Sequence, residues 1–220
     1  MRKPDPNLYD KRREQIINIS AALFARKNFH EVRMDEVARE CGVAKGSVYN
    51  YFSTKEDLYL SIIMCRMESL LELLQHRIDY KQTPLINIRR IVIHMYSFMS
   101  KYPHFFQIWY KEKLNCERHS HQKIGRIFHQ IRNLLKTALN KGIDGGVIHP
   151  IQTTITTDLI FGTIDAAVIR GRTLSTEQRK EERMRLFEFI LRAIGTEKAL
   201  EMHAAGLDNP GEISNYDSSV

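Results

Sequence analysis

One short segment constrains the fold of this chain more than any other: residues 34–51, which read MDEVARECGVAKGSVYNY. It places a small residue at Ala38, a glycine at Gly42 and a β-branched residue at Val48, which is the spacing of two short helices joined by a tight turn. Closely crossing helices need a small side chain at their contact, and the turn needs a residue that tolerates positive φ. The segment therefore predicts a helix-turn-helix, whose second helix enters the DNA major groove. The alternative is a helical hairpin that only packs.

The sequence on either side of this segment fits the same unit. Downstream, Ser53 and Glu56 have the spacing of a capping box, which predicts that a long helix begins at about Lys55. Upstream, apolar residues at helical spacing predict a core-facing helix over about residues 10–27. These apolar residues are Ile16, Ile17, Ile19, Ala22, Leu23 and Phe24.

The run LFARKNFHEVRMDEVARECGVAKGSVYNYFSTKEDL resembles the DNA-binding domain of the TetR family of bacterial one-component regulators, with agreement over about residues 10–60. The resemblance implies an all-α protein with an N-terminal three-helix helix-turn-helix DNA-binding domain (residues 1–55, including an N-terminal arm). A C-terminal helical bundle for effector binding and dimerisation would follow (residues 56–202). The polar remainder, residues 203–220, contains Gly, Pro and Ser and predicts a disordered tail.

This sequence departs from the family's usual pattern at two places. Arg33 and Met34 stand where relatives often have Thr, and Ala44 stands where they often have Ser. We therefore expect the second helix of the motif to lack a side-chain N-cap, which costs about 1 kcal/mol. The departures bear on which phosphate contacts survive and leave the predicted fold unchanged.

The resemblance and the chemistry of the residues together predict the DNA contacts. We expect the recognition helix to run from about Lys45 to Tyr51. Gly46 would let the duplex approach closely, Asn50 can pair with adenine, and Lys55 at a helix N-terminus would anchor a phosphate. The predicted DNA-binding set is Arg33, Met34, Ala44, Lys45, Gly46, Ser47, Tyr49, Asn50, Tyr51 and Lys55.

The rest of the chain predicts further helices, because it shows no sustained period-2 alternation. Pro84 and Pro103 suit helix starts. The segment from Lys141 to Pro150 is the clearest loop between helices. The predicted helical segments are residues 10–27, 34–41, 45–51, 55–80, 84–101, 103–116, 121–142, 152–171 and 176–195.

Aromatic residues are concentrated in the middle of the chain, where seven of its twenty lie between Tyr96 and Tyr110. Core filling would explain such a run in any helical protein. The C-terminal bundle of TetR-like proteins, however, usually encloses an effector cavity, and ligand pockets are mostly apolar with a few polar groups. The resemblance therefore implies an effector site. Its candidate residues are His94, Tyr96, Met99, Phe106, Trp109, Tyr110, Phe128, Arg132 and Phe161.

The net charge of +7 lies mainly outside the predicted DNA-binding segment. Residues 61–150 contain 14 Lys or Arg against 6 Asp or Glu, whereas residues 1–60 contain 11 against 9. The overall charge thus gives little support for DNA binding. The basic middle region suggests, as a hypothesis, an effector with an apolar body and an anionic end, such as a fatty acid or an acyl thioester. A solvated basic surface is the alternative.

Two segments near the C-terminus predict a dimer interface. Residues 155–169 mix apolar with small side chains, which permits close helix approach, and residues 184–194 are apolar over more than one face. In TetR-like relatives these helices pair with their mates, and two recognition helices related by a two-fold axis read a palindrome. The predicted interface comprises Ile155, Leu159, Gly162, Ala166, Phe187, Ile190, Leu191 and Ile194. Burial of these residues within a monomer is the alternative.

Other kinds of site find little support in the sequence. The three cysteines lie far apart, and Cys116 with His119 and His121 matches no structural zinc pattern. We expect Cys41 to be a buried small residue. Because no phosphate loop, nucleophile elbow or paired-carboxylate motif occurs, we expect no catalytic residue, metal or cofactor. No signal-peptide segment and no apolar run of ~18 residues occurs, so we expect a cytoplasmic protein without membrane contact.

These observations predict a homodimeric transcriptional regulator, not an enzyme, that represses a palindromic operator in double-stranded DNA and is released by a small-molecule effector. The long helix from about Lys55 to Tyr80 would connect effector binding to the spacing of the two recognition helices. One alternative is a ligand-binding or metabolic protein with a vestigial helix-turn-helix. Another is an activator controlled by a protein partner.

Overall fold

The computed structural model describes residues 6–112 and 122–208. Within these ranges the chain is all-α, as predicted, and the only extended pairing is an isolated bridge between Ile148 and Gly195. Short 3-10 turns lie at Phe29–Glu31 and Gly171–Thr173. The helices of the described residues are α1 (Pro6–Arg26), α2 (Met34–Glu40), α3 (Lys45–Tyr49), α4 (Lys55–Arg77), α5 (Pro84–Lys101), α6 (Pro103–Glu112), α7 (Gln122–Asp144), α8 (Thr153–Arg170), α9 (Thr176–Ile194) and α10 (Glu197–Ala204).

The helices lie close to their predicted positions, with differences at several ends. Helix α1 begins four residues before its predicted start, α4 ends at Arg77, three residues before its predicted end, and α7 continues to Asp144, into the loop predicted from Lys141. Helix α3 ends at Tyr49, two residues before the predicted end of the recognition helix, and α10 was not predicted. The disorder predicted from residue 203 is wrong for residues 203–208, because α10 continues to Ala204 and Asp208 is buried. Residues 113–121 and 209–220, which include the rest of the predicted tail, lie outside the described residues.

The start of α4 is capped one residue later than the sequence analysis predicts. The Asp57 amide donates to the hydroxyl of Thr54 (2.9 Å), and the Asp57 carboxylate accepts a hydrogen bond from the Ser53 amide (2.8 Å). These two bonds satisfy amides that a helix N-terminus otherwise leaves unpaired. The helix begins at Lys55 as predicted, but Thr54 and Asp57 form the cap instead of Ser53 and Glu56.

The chain forms two compact units. The first consists of residues 1–69 and 102–127, and the second consists of residues 70–101 and 128–220. Helix α4 contributes its residues up to Ser69 to the first unit and its remaining turns to the second. A functional boundary between residues 55 and 56 stays a prediction.

In the first unit, α1 packs against α2 and α6, and α2 packs against α3. Arg66 of α4 is buried there and donates a hydrogen bond to Asn18 of α1, while its guanidinium lies 4.2 Å from the centre of the Tyr102 ring. The Tyr59 hydroxyl donates to Glu112 of α6 (2.9 Å). Burial, with the hydrogen bond to Glu112, raises the pKa of Tyr59. Polar contacts thus supplement the apolar core between α1, α4 and α6.

In the second unit, α5 packs against α8 and α9, and α10 packs against α9. A buried ion pair holds the last of the described residues: Arg89 of α5 donates to Asp208 (3.1 Å), and the two side chains are 4% and 1% exposed. His203 of α10 lies with its Nδ1 2.8 Å from the same Asp208 oxygen. Removing either partner of such a buried ion pair would destabilise the fold, because the other charge would stay buried without compensation.

Candidate DNA-binding site

The helix-turn-helix has the geometry that its sequence predicts. After α2, the chain turns at Gly42, whose φ of +65° is the left-handed conformation that favours glycine. The Gly42 amide donates to the carbonyl of Arg39, and the Val43 amide donates to the carbonyl of Ala38, each at 3.0 Å. The turn therefore satisfies the C-terminal carbonyls of α2 and directs the chain into α3.

Helix α3 has one buried side chain and an exposed face. Val48 is fully buried, and Val37 and Ala38 of α2 are buried as well, so the two helices share a small apolar contact. Residues on the other side of α3 reach the surface, and a Cβ placed on Gly46 would meet nothing of this chain within 4 Å. The exposed set is Ala44, Lys45, Gly46, Tyr49 and Asn50, with Ser47 half-buried.

The predicted absence of a side-chain N-cap is confirmed at α3, and α2 lacks one as well. Neither Arg33 before α2 nor Ala44 before α3 accepts a side-chain capping hydrogen bond. Arg33 is exposed, whereas Met34 is buried and belongs to the core. The prediction of Met34 as a DNA contact is therefore wrong, because its side chain packs inward.

Acidic residues neutralise part of the positive charge near the motif. The Lys45 ammonium lies 2.9 Å from the Asp35 carboxylate, and this hydrogen bond raises the pKa of Lys45. Lys27 bonds Glu36 at 2.6 Å and thereby lowers the pKa of Glu36. Both Lys45 and Asp35 are largely exposed, so the pair contributes little stability and Lys45 can exchange its partner for a phosphate.

Lys55 has a different role from the predicted phosphate anchor. Its ammonium donates to the carbonyls of Phe29 (2.8 Å) and Val32 (3.0 Å), with a longer contact to His30 (3.4 Å). It also lies 4.5 Å from the centre of the Phe29 ring. The ammonium thus holds the loop between α1 and α2, which contradicts the predicted role of Lys55 as a phosphate anchor.

Tyr51 follows α3 and packs against the N-terminal helix. Its ring centre lies 4.6 Å from that of Tyr9, and the side chain is half-buried. Beside it, the Arg13 guanidinium lies 5.3 Å from the centre of the buried Phe52 ring. The residues after α3 are thereby fixed against α1. Cys41 is buried as expected, and burial raises the pKa of its thiol.

The predicted effector residues are distributed over the two compact units. In the first unit, Phe106 and Trp109 of α6 are buried and Tyr110 is exposed, with the Phe106 and Tyr110 ring centres 5.9 Å apart. In the second unit, Tyr96 and Met99 of α5 are buried. Their role in binding an effector stays a prediction.

One part of the predicted effector set comes together within the second unit. The rings of Phe128 on α7 and Phe161 on α8 meet edge to face, with centres 5.8 Å apart. The Arg132 guanidinium lies 5.6 Å from the centre of the Phe128 ring and forms an ion pair with Asp158. His94 lies in the same unit, and its pKa is lowered to about 4, first by burial and then by the charges of Arg77, Arg183 and Arg90.

The predicted dimer residues divide into an exposed group and a buried group. Phe187, Ile190 and Leu191 of α9 are covered by the subunit itself, so their prediction as interface residues is wrong. Ile194 is half-buried. On α8, the residues at positions 155, 159, 162, 166 and 169 are exposed and recur every three or four residues, which places them on one helix face. We call this face the α8 stripe: Ile155, Leu159, Gly162, Ala166 and Ile169.

Ile169 of this stripe and Phe189 of α9, which is 63% exposed, lie in the two segments that predict the interface but are absent from the predicted interface set. Heptad-like spacing could have identified Ile169, whereas the exposure of Phe189 depends on how α9 packs. The possible cluster around Cys116, His119 and His121 lies outside the described residues. Among the residues that are described, no group of His, Cys, Asp or Glu could hold a metal ion, and no helix is long and apolar enough to cross a membrane.

The exposed second helix of a helix-turn-helix, carried on an all-α chain, defines this protein as a helix-turn-helix DNA-binding regulator. Residues 16–62 match the family model described as bacterial regulatory proteins, tetR family. This match confirms the predicted resemblance of the N-terminal segment to the DNA-binding domain of the TetR family.

Similar proteins extend the match beyond the DNA-binding segment. The fatty acid metabolism regulator protein of Bacillus subtilis (strain 168) is 27% identical over 155 residues, which are 70% of this chain and 80% of that protein. The solved structure of a regulator FadR from Bacillus subtilis in complex with stearoyl-CoA has a TM-score of 0.63 and 25% identity, covering 81% of this chain and 95% of that one. The ketosteroid regulator KstR2 of Mycobacterium tuberculosis shares the fold, with a TM-score of 0.76, 19% identity and coverage of 84% and 96%. These relatives are transcriptional regulators, not enzymes.

Proposed function

We propose that the chain is a homodimeric, cytoplasmic repressor that binds a palindromic operator and leaves it when an acyl-type effector binds. The observation that supports DNA reading most directly is the exposed face of α3. Lys45, Tyr49 and Asn50 point away from the core, while Val48 on the opposite side holds the helix in place. Such a face offers a cation for phosphate and an amide for adenine, which are backbone and base contacts respectively.

Each of these side chains has an expected role on DNA. The Lys45 ammonium would leave Asp35 and bind a phosphate, and Asn50 would read a base edge. Tyr49 would supply a hydroxyl to the backbone or a ring to a thymine methyl group. Replacing Asn50 by Ala should relax specificity at one base position and cost about 1–3 kcal/mol for the preferred operator. Fluorescence anisotropy with single-base operator variants measures both effects.

The α8 stripe supports dimerisation. A row of exposed apolar and small residues on one helix face is unusual for the surface of a monomer, and Phe189 of the contacting helix α9 adds a large exposed ring. A second copy placed across a two-fold axis would cover the same stripe on both subunits, with Gly162 and Ala166 permitting close helix approach. The two recognition helices would then address two half-sites.

Two matched substitutions test this dimer. Leu159 on the stripe and Leu207 outside it are 66% and 61% exposed, so L159R and L207R add the same charge at equally open positions. L159R should give monomers in analytical ultracentrifugation and lose affinity for the palindrome, whereas L207R should behave as wild type. A dimeric L159R variant with unchanged operator affinity would refute the α8 interface.

The effector class rests on similarity and on charge. The FadR regulator of similar structure was solved in complex with stearoyl-CoA, and the fatty acid metabolism regulator of Bacillus subtilis matches 70% of this chain. The basic composition of residues 61–150 suits an anionic amphiphile. By linkage, an effector lowers operator affinity only by its preference for the DNA-incompetent state, typically 1–3 kcal/mol or about 5–150-fold.

The effector proposal is tested by adding candidate compounds to a preformed protein–operator complex. Long-chain acyl-CoA should release labelled operator at concentrations where coenzyme A alone and a cationic amphiphile of equal chain length do not. Release by cationic compounds, with no response to acyl chains, would contradict the acyl-type effector and leave the DNA-binding role intact.

A further inference from the structure

Two arginines are buried in the second compact unit, and they differ in how their charge is compensated. Arg89 of α5 is 3% exposed and pairs with the buried carboxylate of Asp208. Arg183 of α9 is 8% exposed, and its described partner is the hydroxyl of Ser97 on α5, at 3.2 Å from Nη1. The Nε of Arg183 is buried and has no hydrogen-bond partner among the described residues.

This difference is energetically significant. Removing a guanidinium from water costs several kcal/mol, and a carboxylate returns much of that cost, whereas a neutral hydroxyl returns little of it. Glu182, next to Arg183 in sequence, is already paired with Arg170. The buried charge of Arg183 has no anionic partner among the described residues, which suggests that an anion from outside the chain compensates it.

The surroundings of Arg183 are also basic. Ser97, His94 and Arg90 recur on α5 at spacings of three and four residues and so share one helix face. Burial and the positive charges of Arg77, Arg183 and Arg90 lower the pKa of His94 to about 4, so the imidazole is neutral near pH 7. The three arginines thus lie close enough to His94 of α5 for their charges to lower its pKa together.

We infer that Arg183, with Ser97 and the basic side chains along this face of α5, forms an oxyanion subsite that binds the charged end of the effector. The inference rests on the proposed effector class and adds the group that recognises its charge. Arg183 donates from Nε and its terminal nitrogens, which is the fork that carboxylate and phosphate oxygens accept. The Ser97 hydroxyl, which accepts a hydrogen bond from Nη1, orients that fork.

The chemistry is that of a carboxylate or a phosphate ester, and probes of equal chain length distinguish the two. The experiment uses the full chain with dodecanoate, dodecyl phosphate and dodecanol, each below its micelle concentration, in isothermal titration calorimetry. Wild-type protein should bind at least one of the two anions about tenfold more tightly than dodecanol. R183Q should reduce that preference to less than about threefold while dodecanol affinity changes little.

The matched control is R185Q, because Arg185 lies two residues away on α9, is exposed and forms an ion pair with the exposed Glu181. It removes the same charge and should keep the wild-type preference. A second measurement covers folding: R183Q without added probe should unfold at or above the wild-type midpoint, because it removes a buried charge whose described partner is neutral. A lower midpoint for R183Q would show that Arg183 is compensated within the protein and would overturn the subsite.

The outcomes separate this inference from the proposed function. If all three probes release operator equally and R183Q responds as wild type does, an apolar effector is supported and the oxyanion subsite is refuted. If no probe binds and none releases operator, the effector class itself fails together with the subsite. Preference for the carboxylate indicates a free fatty acid, and preference for the phosphate indicates a phosphorylated carrier such as the coenzyme A part of a thioester.

Discussion

Replacing Lys55 by Met tests whether this lysine stabilises the N-terminal unit or binds DNA. The substitution keeps the aliphatic length but removes an ammonium that donates to the carbonyls of Phe29 and Val32 and lies over the Phe29 ring. Hydrogen bonds to charged groups contribute about 1.5–3 kcal/mol when well placed, and cation–π contacts contribute about 0.5–1 kcal/mol at open sites. Because Lys55 is only partly buried, we expect a loss of about 2–3 kcal/mol.

Lys45 provides the matched comparison within the same unit. It is about half exposed and forms a surface ion pair with Asp35, so K45M should change stability by less than about 1 kcal/mol. If Lys45 binds a phosphate, K45M should weaken operator binding and reduce the slope of log affinity against log salt by about 0.9 for each lost contact.

Thermal unfolding and salt-dependent anisotropy measure the two variants side by side. For a chain of this size, each kcal/mol corresponds to about 2–4 °C in the unfolding midpoint, so K55M should unfold about 4–12 °C lower. Its salt slope should match wild type at temperatures where it remains folded. An unchanged midpoint for K55M with a reduced salt slope would refute the structural role and restore the phosphate anchor.

Three further predictions concern buried groups. D208N should lower the free energy of unfolding, measured in urea, by about 3–5 kcal/mol, because Arg89 loses its buried partner. E201Q, at an exposed position of α10, should have little effect. Equal effects of the two substitutions would contradict the ion pair between Arg89 and Asp208. The pKa of His94 is about 4 in the folded chain, below its ordinary value of 6.5, so the unfolded chain binds the proton first as pH falls. The free energy of unfolding should therefore fall by up to about 1.4 kcal/mol per pH unit between pH 6.5 and pH 4. H94F should remove that dependence, and an unaltered pH profile of stability would refute the prediction. R66M should weaken operator binding and destabilise the first unit by about 2–3 kcal/mol, because the α1–α4 hydrogen bond and the Tyr102 contact are lost, and a fully stable variant with normal affinity would show that Arg66 is dispensable.

Local patterns were sufficient to predict most helices and the helix-turn-helix. Apolar residues at a spacing of three and four predicted α1, and a capping-box spacing predicted the start of α4 at Lys55. The requirement for positive φ identified Gly42 as the turn residue. The missing N-cap at Ala44 could also be predicted, because capping depends on the residue type at a single position.

Long-range packing determines what the sequence patterns could not predict. Whether the Lys55 ammonium faces DNA or the carbonyl of Phe29 depends on where a loop 26 residues earlier is placed. Helix α9 is apolar on more than one side, so only its packing against α5 and α8 decides that Phe187 is buried and Phe189 is exposed. The pairing of Arg89 with Asp208, 119 residues apart, likewise has no local signature, and the tail prediction from residue 203 failed for that reason.

The central claim is that a dimer reads a palindrome through the exposed face of α3. The most direct measurement is selection of fragments from the source genome by wild-type protein and by a K45A/N50A variant, at one stated near-physiological salt concentration. We predict recovery of a palindromic site by wild type, with two protomers bound per site, and loss of that site by the variant. Equal, salt-sensitive and sequence-independent recovery by both proteins would contradict specific operator recognition by α3.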